Sequence, residues 1–272
     1  LLKQERVKFL RSKTQYDGIM DQLSRSDAVV AKHLNKKIYK KEEVDAIDTE
    51  DETLLGHVSV IKQSYGFGFD SIQALMKELN TGLKSFNDRL DYNLNIEFDG
   101  RKVVGDNPDD LNDRSYGNND VTAKNGRSHG THVSGIIGAI RNNGIGMNGA
   151  ANNVKIMAIR NTPNGDEYDK DVALGVYYAV DNGAKVINMS FGKGFSPHSE
   201  WVRDAIAYAA DNDVLIVAAA GNEGQDTDQV SSFPNDQIGT GAEISNTFIK
   251  VGATGPRYGS SLVAGYSKYG KN

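Results

Sequence analysis

Four short apolar runs in the second half of the chain, separated by segments of helical period, constrain the fold more than any other feature. "NVKIMAIR" (153–160), "AKVINMSFG" (184–192), "DVLIVAAAGNEG" (213–224) and "TFIKVGAT" (247–254) read as buried strands. Between them, "DVALGVYYAVDNG" (171–183) and "SEWVRDAIAYAADND" (199–213) read as helices, the second with Ser199 as its cap. Strands that alternate with helices in this way form a parallel sheet covered on both faces, an α/β, doubly wound arrangement. In such sheets ligands collect beyond the carboxyl ends of the strands. Three runs end there in "NMSFG", "AAAGNEG" and "VGAT", so the site is expected along that edge.

Up to about residue 112 the texture is different. In "FDSIQALMKELNTGLKSFNDRLDYNL" the residues Ile72, Leu75, Met76, Leu79, Leu83, Phe86 and Leu90 recur at threes and fours, one face of a helix that packs onto something else. Asp70 with Gln73 fits a capping box opening that helix, and residues 1–40 are also helix-like. The expected organisation is therefore a helical subdomain over 1–112 and an α/β domain over 113–272. With 31 Lys+Arg against 36 Asp+Glu and no one-sign block, the chain carries no footprint for nucleic acid or an anionic membrane. Cysteine is absent, which removes disulfides, thiol nucleophiles and cysteine metal sites. No signal peptide and no apolar run of about 18 residues is present, so no membrane span is expected.

"GRSHGTHVSGIIG" (126–138) holds two histidines three apart among four glycines. Ser128 can cap a buried helix from about Gly130 to Ile140, and Gly135 and Gly138 would let another backbone approach. His129 then sits in the first turn and His132 about 300° further round, so the two rings need not converge. Zinc pairs on helices use an i, i+4 spacing with a glutamate between, and neither holds here. Spacing alone favours a structural histidine at the helix start, with a catalytic base as the second reading.

HGTHVSG, NMSFG and AAAGNEG, in this order and on these elements, resemble the three central motifs of the subtilisin-like serine proteases, over about Asp113 to Asn272. The resemblance implies an incomplete subtilisin-like catalytic domain acting on peptide or protein substrates. His129 would be the general base and Asn222 the side-chain donor to the oxyanion, with Gly221 allowing the backbone to turn. Ser190, Phe191 and Gly192, with Ala220 and Gly221, would bind the substrate backbone as an added strand. His132 would be structural. The family's location would be the bacterial envelope or exterior. Its chemistry requires no cofactor, but a structural calcium is often held in the loop after the histidine helix. "RNNGIGMNGA" (141–150) resembles that loop, with Asn142 and Asn143 as oxygen donors, and a plain glycine-rich loop is the equal alternative. "GDNPDDLNDRSYG" (105–117) offers Asp106, Asp109, Asp110 and Asp113, for which a solvated acidic turn is preferred to a cation site.

Two departures from the family's pattern bound these expectations. The family places an aspartate at the end of a buried strand upstream, and a GTSMAAP-like segment with the serine downstream. "AIDTED" (46–51) lacks the glycine and the hydrophobic strand, so Asp48 reads as solvated, and the chain stops after "SLVAGYSKYGKN". The chain is thus expected to be the middle of a longer protease, nearly inert by itself, with aspartate and serine supplied by other parts of the same protein. The first 128 residues resemble the large helical insertion of subtilisin-like proteases from Bacteroidetes-type bacteria. A peptide-binding pseudoprotease that keeps the edge at 190–192 is the alternative. A nucleotide-binding domain is disfavoured, because no G-x-G-x-x-G opens a helix after the first strand.

Overall fold

The computed structural model describes residues 2–122, 128–162, 165–239 and 241–270. It divides into two compact units, Leu1–Phe98 and Asp99–Asn272.

The first unit is helical: α1 (Leu2–Leu34), α2 (Lys41–Asp45), α3 (Glu52–Tyr65) and α4 (Ile72–Asp88), the last running into a single π-turn at Arg89–Asn93. Its core joins Leu23 and Val30 of α1, Val44 of α2, Val58 and Ile61 of α3, and Ile72 and Leu75 of α4. The apolar stripe of α4 therefore does pack, and its far end meets α1, where Phe86 lies against Phe9 and Tyr16. The cap differs from expectation. Ser71, not Asp70, accepts the Ala74 N–H at 3.1 Å, while the Gln73 amide turns away to Asp27 and the Lys37 carbonyl. Asp48 is exposed, and Asp51 of the same acidic run caps α3 by accepting from the N–H groups of Thr53 and Leu54.

The second unit is α/β. Its sheet has the order β1 (Val186–Met189), β2 (Leu215–Ala219), β3 (Phe248–Val251), parallel throughout, with Met189 opposite Ala218 and Ala219 opposite Val251. Helices α7 (Asp169–Asp181) and α8 (Ser199–Asp211) pack on one another and on the strands. Val172, Ala173 and Val176 meet Ala205, Ile206 and Ala209 over Met189, Ile216 and Ala218. Both helices start within two residues of the expected positions, because their apolar spacing is set by this burial. Ser199 is the first residue of α8 rather than its cap. No side chain caps the helix; the Asp169 carboxylate instead holds the turn before it, accepting the His198 N–H at 2.9 Å and the Ser196 hydroxyl at 2.6 Å.

The run 153–160 departs from expectation, since among the described residues no ladder pairs it with another strand. Val154, Ile156 and Met157 are more than two-fifths exposed, so the apolar pattern is present without a partner strand to order it. Among the described residues between β2 and β3 no helix forms.

Residues 99–112 belong with the second unit. Short helix α5 (Arg101–Val104) is tied to α7 by a buried charge cluster: the Arg101 guanidinium donates to Asp171 at 2.5 Å and pairs with Asp106. The Lys170 ammonium donates to Asp106 and to the Asn107 carbonyl, both at 2.7 Å. The Asp106 side chain has no exposed surface, whereas the Asp109 side chain is 75% exposed, so the expected solvated turn holds at Asp109 and fails at Asp106.

Candidate active site

Helix α6 (His129–Gly138) carries both histidines of the glycine-dotted motif. Ser128 stands at its N-cap without a side-chain cap bond; its carbonyl accepts the His132 N–H at 2.8 Å. The helix is not buried: none of its residues is, His129 and His132 are both exposed, and Ile136 is 58% exposed. Val154 and Ile156 approach it at Gly138, whose added Cβ would meet Val154 at 3.0 Å, while Gly135 has open space around it. The close backbone approach occurs instead at Gly149, where a Cβ would sit 2.4 Å from the Ala139 nitrogen. There the loop folds back, and the N–H groups of Gly149, Ala150 and Ala151 satisfy the carbonyls of Ala139, Ile136 and Ile137. That return fixes the end of the helix. Residues 123–127, which include the first two residues of the quoted motif, lie outside the described residues.

The motif AAAGNEG forms the turn leaving β2. Ala220, buried, donates its N–H to the Val251 carbonyl at 2.9 Å. Gly221 has φ +113°, a backbone state that favours glycine, and a Cβ there would lie 2.8 Å from the Lys268 side chain. The Gly221 carbonyl accepts the Lys268 N–H, and the Gly224 N–H donates to Tyr266, so the turn is pinned from both sides. Asn222 gives its backbone N–H to Glu223 at 3.1 Å, and Glu223 pairs with the Lys268 ammonium. Asn222 is exposed, and among the described residues its side-chain amide has no hydrogen-bond partner.

The motif NMSFG continues β1. Ser190 and Phe191 are half-buried, Gly192 is exposed, and the Ser190 hydroxyl takes a bond from Asn188 at 2.9 Å. Beyond them Lys193 pairs antiparallel with Phe233, each N–H donating to the other's carbonyl at 2.9 Å. Among the described residues the backbone groups at 190–192 make no backbone hydrogen bond, although paired residues lie on either side. Three residues of extended chain are thus left with unanswered donors and acceptors.

The loop proposed for calcium fits a cation poorly. Asn143 Oδ1 accepts the Ile145 N–H, and Asn142, at φ +58°, gives its N–H to Asn148. The stretch 141–150 contains no carboxylate, whereas calcium sites take six to eight oxygens, usually including charged ones.

Sequence reasoning missed the charged residues Glu167, Asp169 and Lys193, which gather around the end of the 190–192 stretch. The Lys193 ammonium donates to the Glu167 carbonyl at 2.6 Å and pairs with Asp169 at 2.8 Å. The only local signal is the run "DEYDKD", whose charges fall on a helix start.

The model of the subtilase family matches residues 33–272, and the chain belongs to that family, with its subtilisin-like α/β fold. It is 34% identical over 187 residues to a thermophilic serine proteinase of Bacillus sp. (strain AK1), covering 60% of this chain and 43% of that protein. Thermitase of Thermoactinomyces vulgaris is 36% identical over 129 residues, 47% of this chain and 46% of that one. The cell wall-associated protease of Bacillus subtilis (strain 168) is 39% identical over 163 residues, 60% of this chain and 16% of that one. The chain spans less than half the length of each of these relatives.

Proposed function

We propose that this chain carries part of the catalytic centre of a serine endopeptidase, with His129 as general base and Asn222 as oxyanion donor. The observation that carries the reading is the unpaired backbone at 190–192, which follows β1, the neighbour in the sheet of β2, beyond whose end Asn222 lies. An extended peptide can pair there as an added strand, which presents successive carbonyls along the edge. A serine hydroxyl attacking one of them gives its proton to the imidazole of His129 acting as general base. The carbonyl oxygen becomes an anion and accepts a hydrogen bond from the Asn222 amide, which has no competing partner among the described residues. Collapse of the tetrahedral intermediate breaks the C–N bond, and the imidazolium returns its proton to the leaving amine. Water then repeats the sequence on the acyl-enzyme.

The 272 residues include no GTSMA-like segment. The nucleophile and its aspartate are therefore assigned to other parts of the same protein, and the chain alone is expected to turn over almost no peptide. The kinship with a protease named as cell wall-associated supports a location in the envelope or outside the cell.

The test is labelling of the product of the whole coding region by a serine-directed phosphonate. Labelling of the wild type and its loss in His129→Ala are expected. Labelling that survives His129→Ala would show that another group is the base. A wild type that binds peptide but never labels would make this a peptide-binding pseudoprotease.

A further inference from the structure

The turn leaving β2 is held by a segment far along the chain, 266–268, and the hold runs through charge as well as backbone. The Lys268 N–H donates to the Gly221 carbonyl at 2.9 Å, and the Gly224 N–H donates to the Tyr266 carbonyl at 2.7 Å. Between them Ser267, 2% exposed, accepts the Ala253 N–H at 2.9 Å and donates to the Lys268 carbonyl, which ties the segment to the exit of β3. The backbone of Lys268 is therefore a fixed point.

Its side chain lies along the turn. Lys268 Cδ would stand 2.8 Å from a Cβ at Gly221, and the ammonium pairs with Glu223 Oε2 at 3.1 Å. The same Oε2 accepts the Asn222 backbone N–H at 3.1 Å. The Lys268 side chain is 9% exposed, that of Glu223 60%. A carboxylate so exposed gains little stability by pairing, so what the bridge fixes is direction. Without the ammonium, Glu223 is free to swing into water and release the Asn222 N–H. The other ammonium nearby, Lys250, reaches towards the Ser232 carbonyl at 3.5 Å and is no substitute.

We propose that Lys268 is a positioning residue for the peptidase reaction: through Glu223 it fixes the backbone at Asn222 and so holds that residue's side-chain amide ready for the oxyanion. The inference rests on the reading of Asn222 as oxyanion donor. Such donors stabilise a developing anion because they are in place beforehand and need not reorient as the reaction proceeds. Asn222 is exposed, and among the described residues its amide has no hydrogen-bond partner, so its restraint comes from the backbone that carries it.

The test is kcat and KM of the whole gene product on a peptide substrate at neutral pH. Lys268→Met keeps the stem against Gly221 and removes the charge; it should lower kcat about three- to tenfold, the worth of one net hydrogen bond, with KM little changed. Lys268→Arg should recover most of that loss. Glu223→Ala, on an exposed side chain, breaks the same link without disturbing the buried stem; it should fall as far as Lys268→Met, and the two together no further. In an Asn222→Ala background Lys268→Met should cost nothing more, because the residue it positions is gone. An equal further fall in that background would show a general structural role and overturn the proposal. So would an unchanged kcat in Lys268→Met, or one unchanged or raised in Glu223→Ala. A fall in Asn222→Ala beside an unchanged Lys268→Met removes this inference alone, whereas full kcat in Asn222→Ala removes the oxyanion reading and this inference with it.

Discussion

Lys170 has no exposed surface, and its ammonium stands 2.7 Å from Asp106, 3.6 Å from Asp113 and 4.5 Å above the Tyr116 ring. An internal ammonium thus fills the place a hard cation would take among these carboxylates. Removing one member of such a buried set strands the others, so Lys170→Met should cost roughly 3–5 kcal/mol in urea unfolding. Burial alone would raise Asp106, but the Arg101 and Lys170 hydrogen bonds outweigh it and hold the carboxyl below its usual range. With its folded value below its unfolded one, the stability Asp106 contributes is present above about pH 4 and lost as pH falls through the folded value. Asp106→Asn should flatten the acid side of the stability curve, measured as unfolding free energy against pH. At Gly221, where φ is +113° and a Cβ would crowd Lys268, alanine should destabilise by about 1–3 kcal/mol. The acidic residues of 105–113 were visible in the sequence, but their cations were not. Lys170 lies some sixty residues on, and nothing in local charge says which distant side chain it meets.

At the scale of elements, α7 and α8 were legible because each presents one apolar face to one core, and burial enforces the period. Ile206 sits at the centre of that contact with no exposed surface, and Ile206→Ala should lower stability by about 2–5 kcal/mol, read as a lower midpoint in urea. Helix α6 and the run 153–160 were legible only as patterns. An apolar sequence states what can be buried, and the partner that buries it is non-local, so the pattern in 153–160 could not reveal that no described strand pairs with it. Caps were misread at both Ser71 and Ser199 for a related reason: several Ser and Asp residues compete at a helix start, and packing of the preceding turn selects among them. Asp51→Ala, which removes the cap of α3, should cost about 1 kcal/mol and lower helicity by circular dichroism.

At the scale of the molecule, each unit has a core of its own, Leu23 to Leu75 in the helical one and Val172 to Ala218 in the α/β one. Residues 1–98 expressed alone should therefore be helical and melt cooperatively by circular dichroism; a featureless, non-cooperative signal would contradict that. Membership of the subtilase family was legible from residue identity, in HGTHVSG, NMSFG and AAAGNEG, and not from periodicity, which gave only a parallel sheet. The link from Lys268 to Asn222 was illegible because it joins separate segments through Glu223. The peptidase account is tested most directly by kcat and KM of the whole gene product on a peptide substrate, with Asn222→Ala beside wild type. It predicts a kcat lower by about 10²–10³ with KM little changed, as loss of an oxyanion donor requires. An unchanged kcat would contradict it.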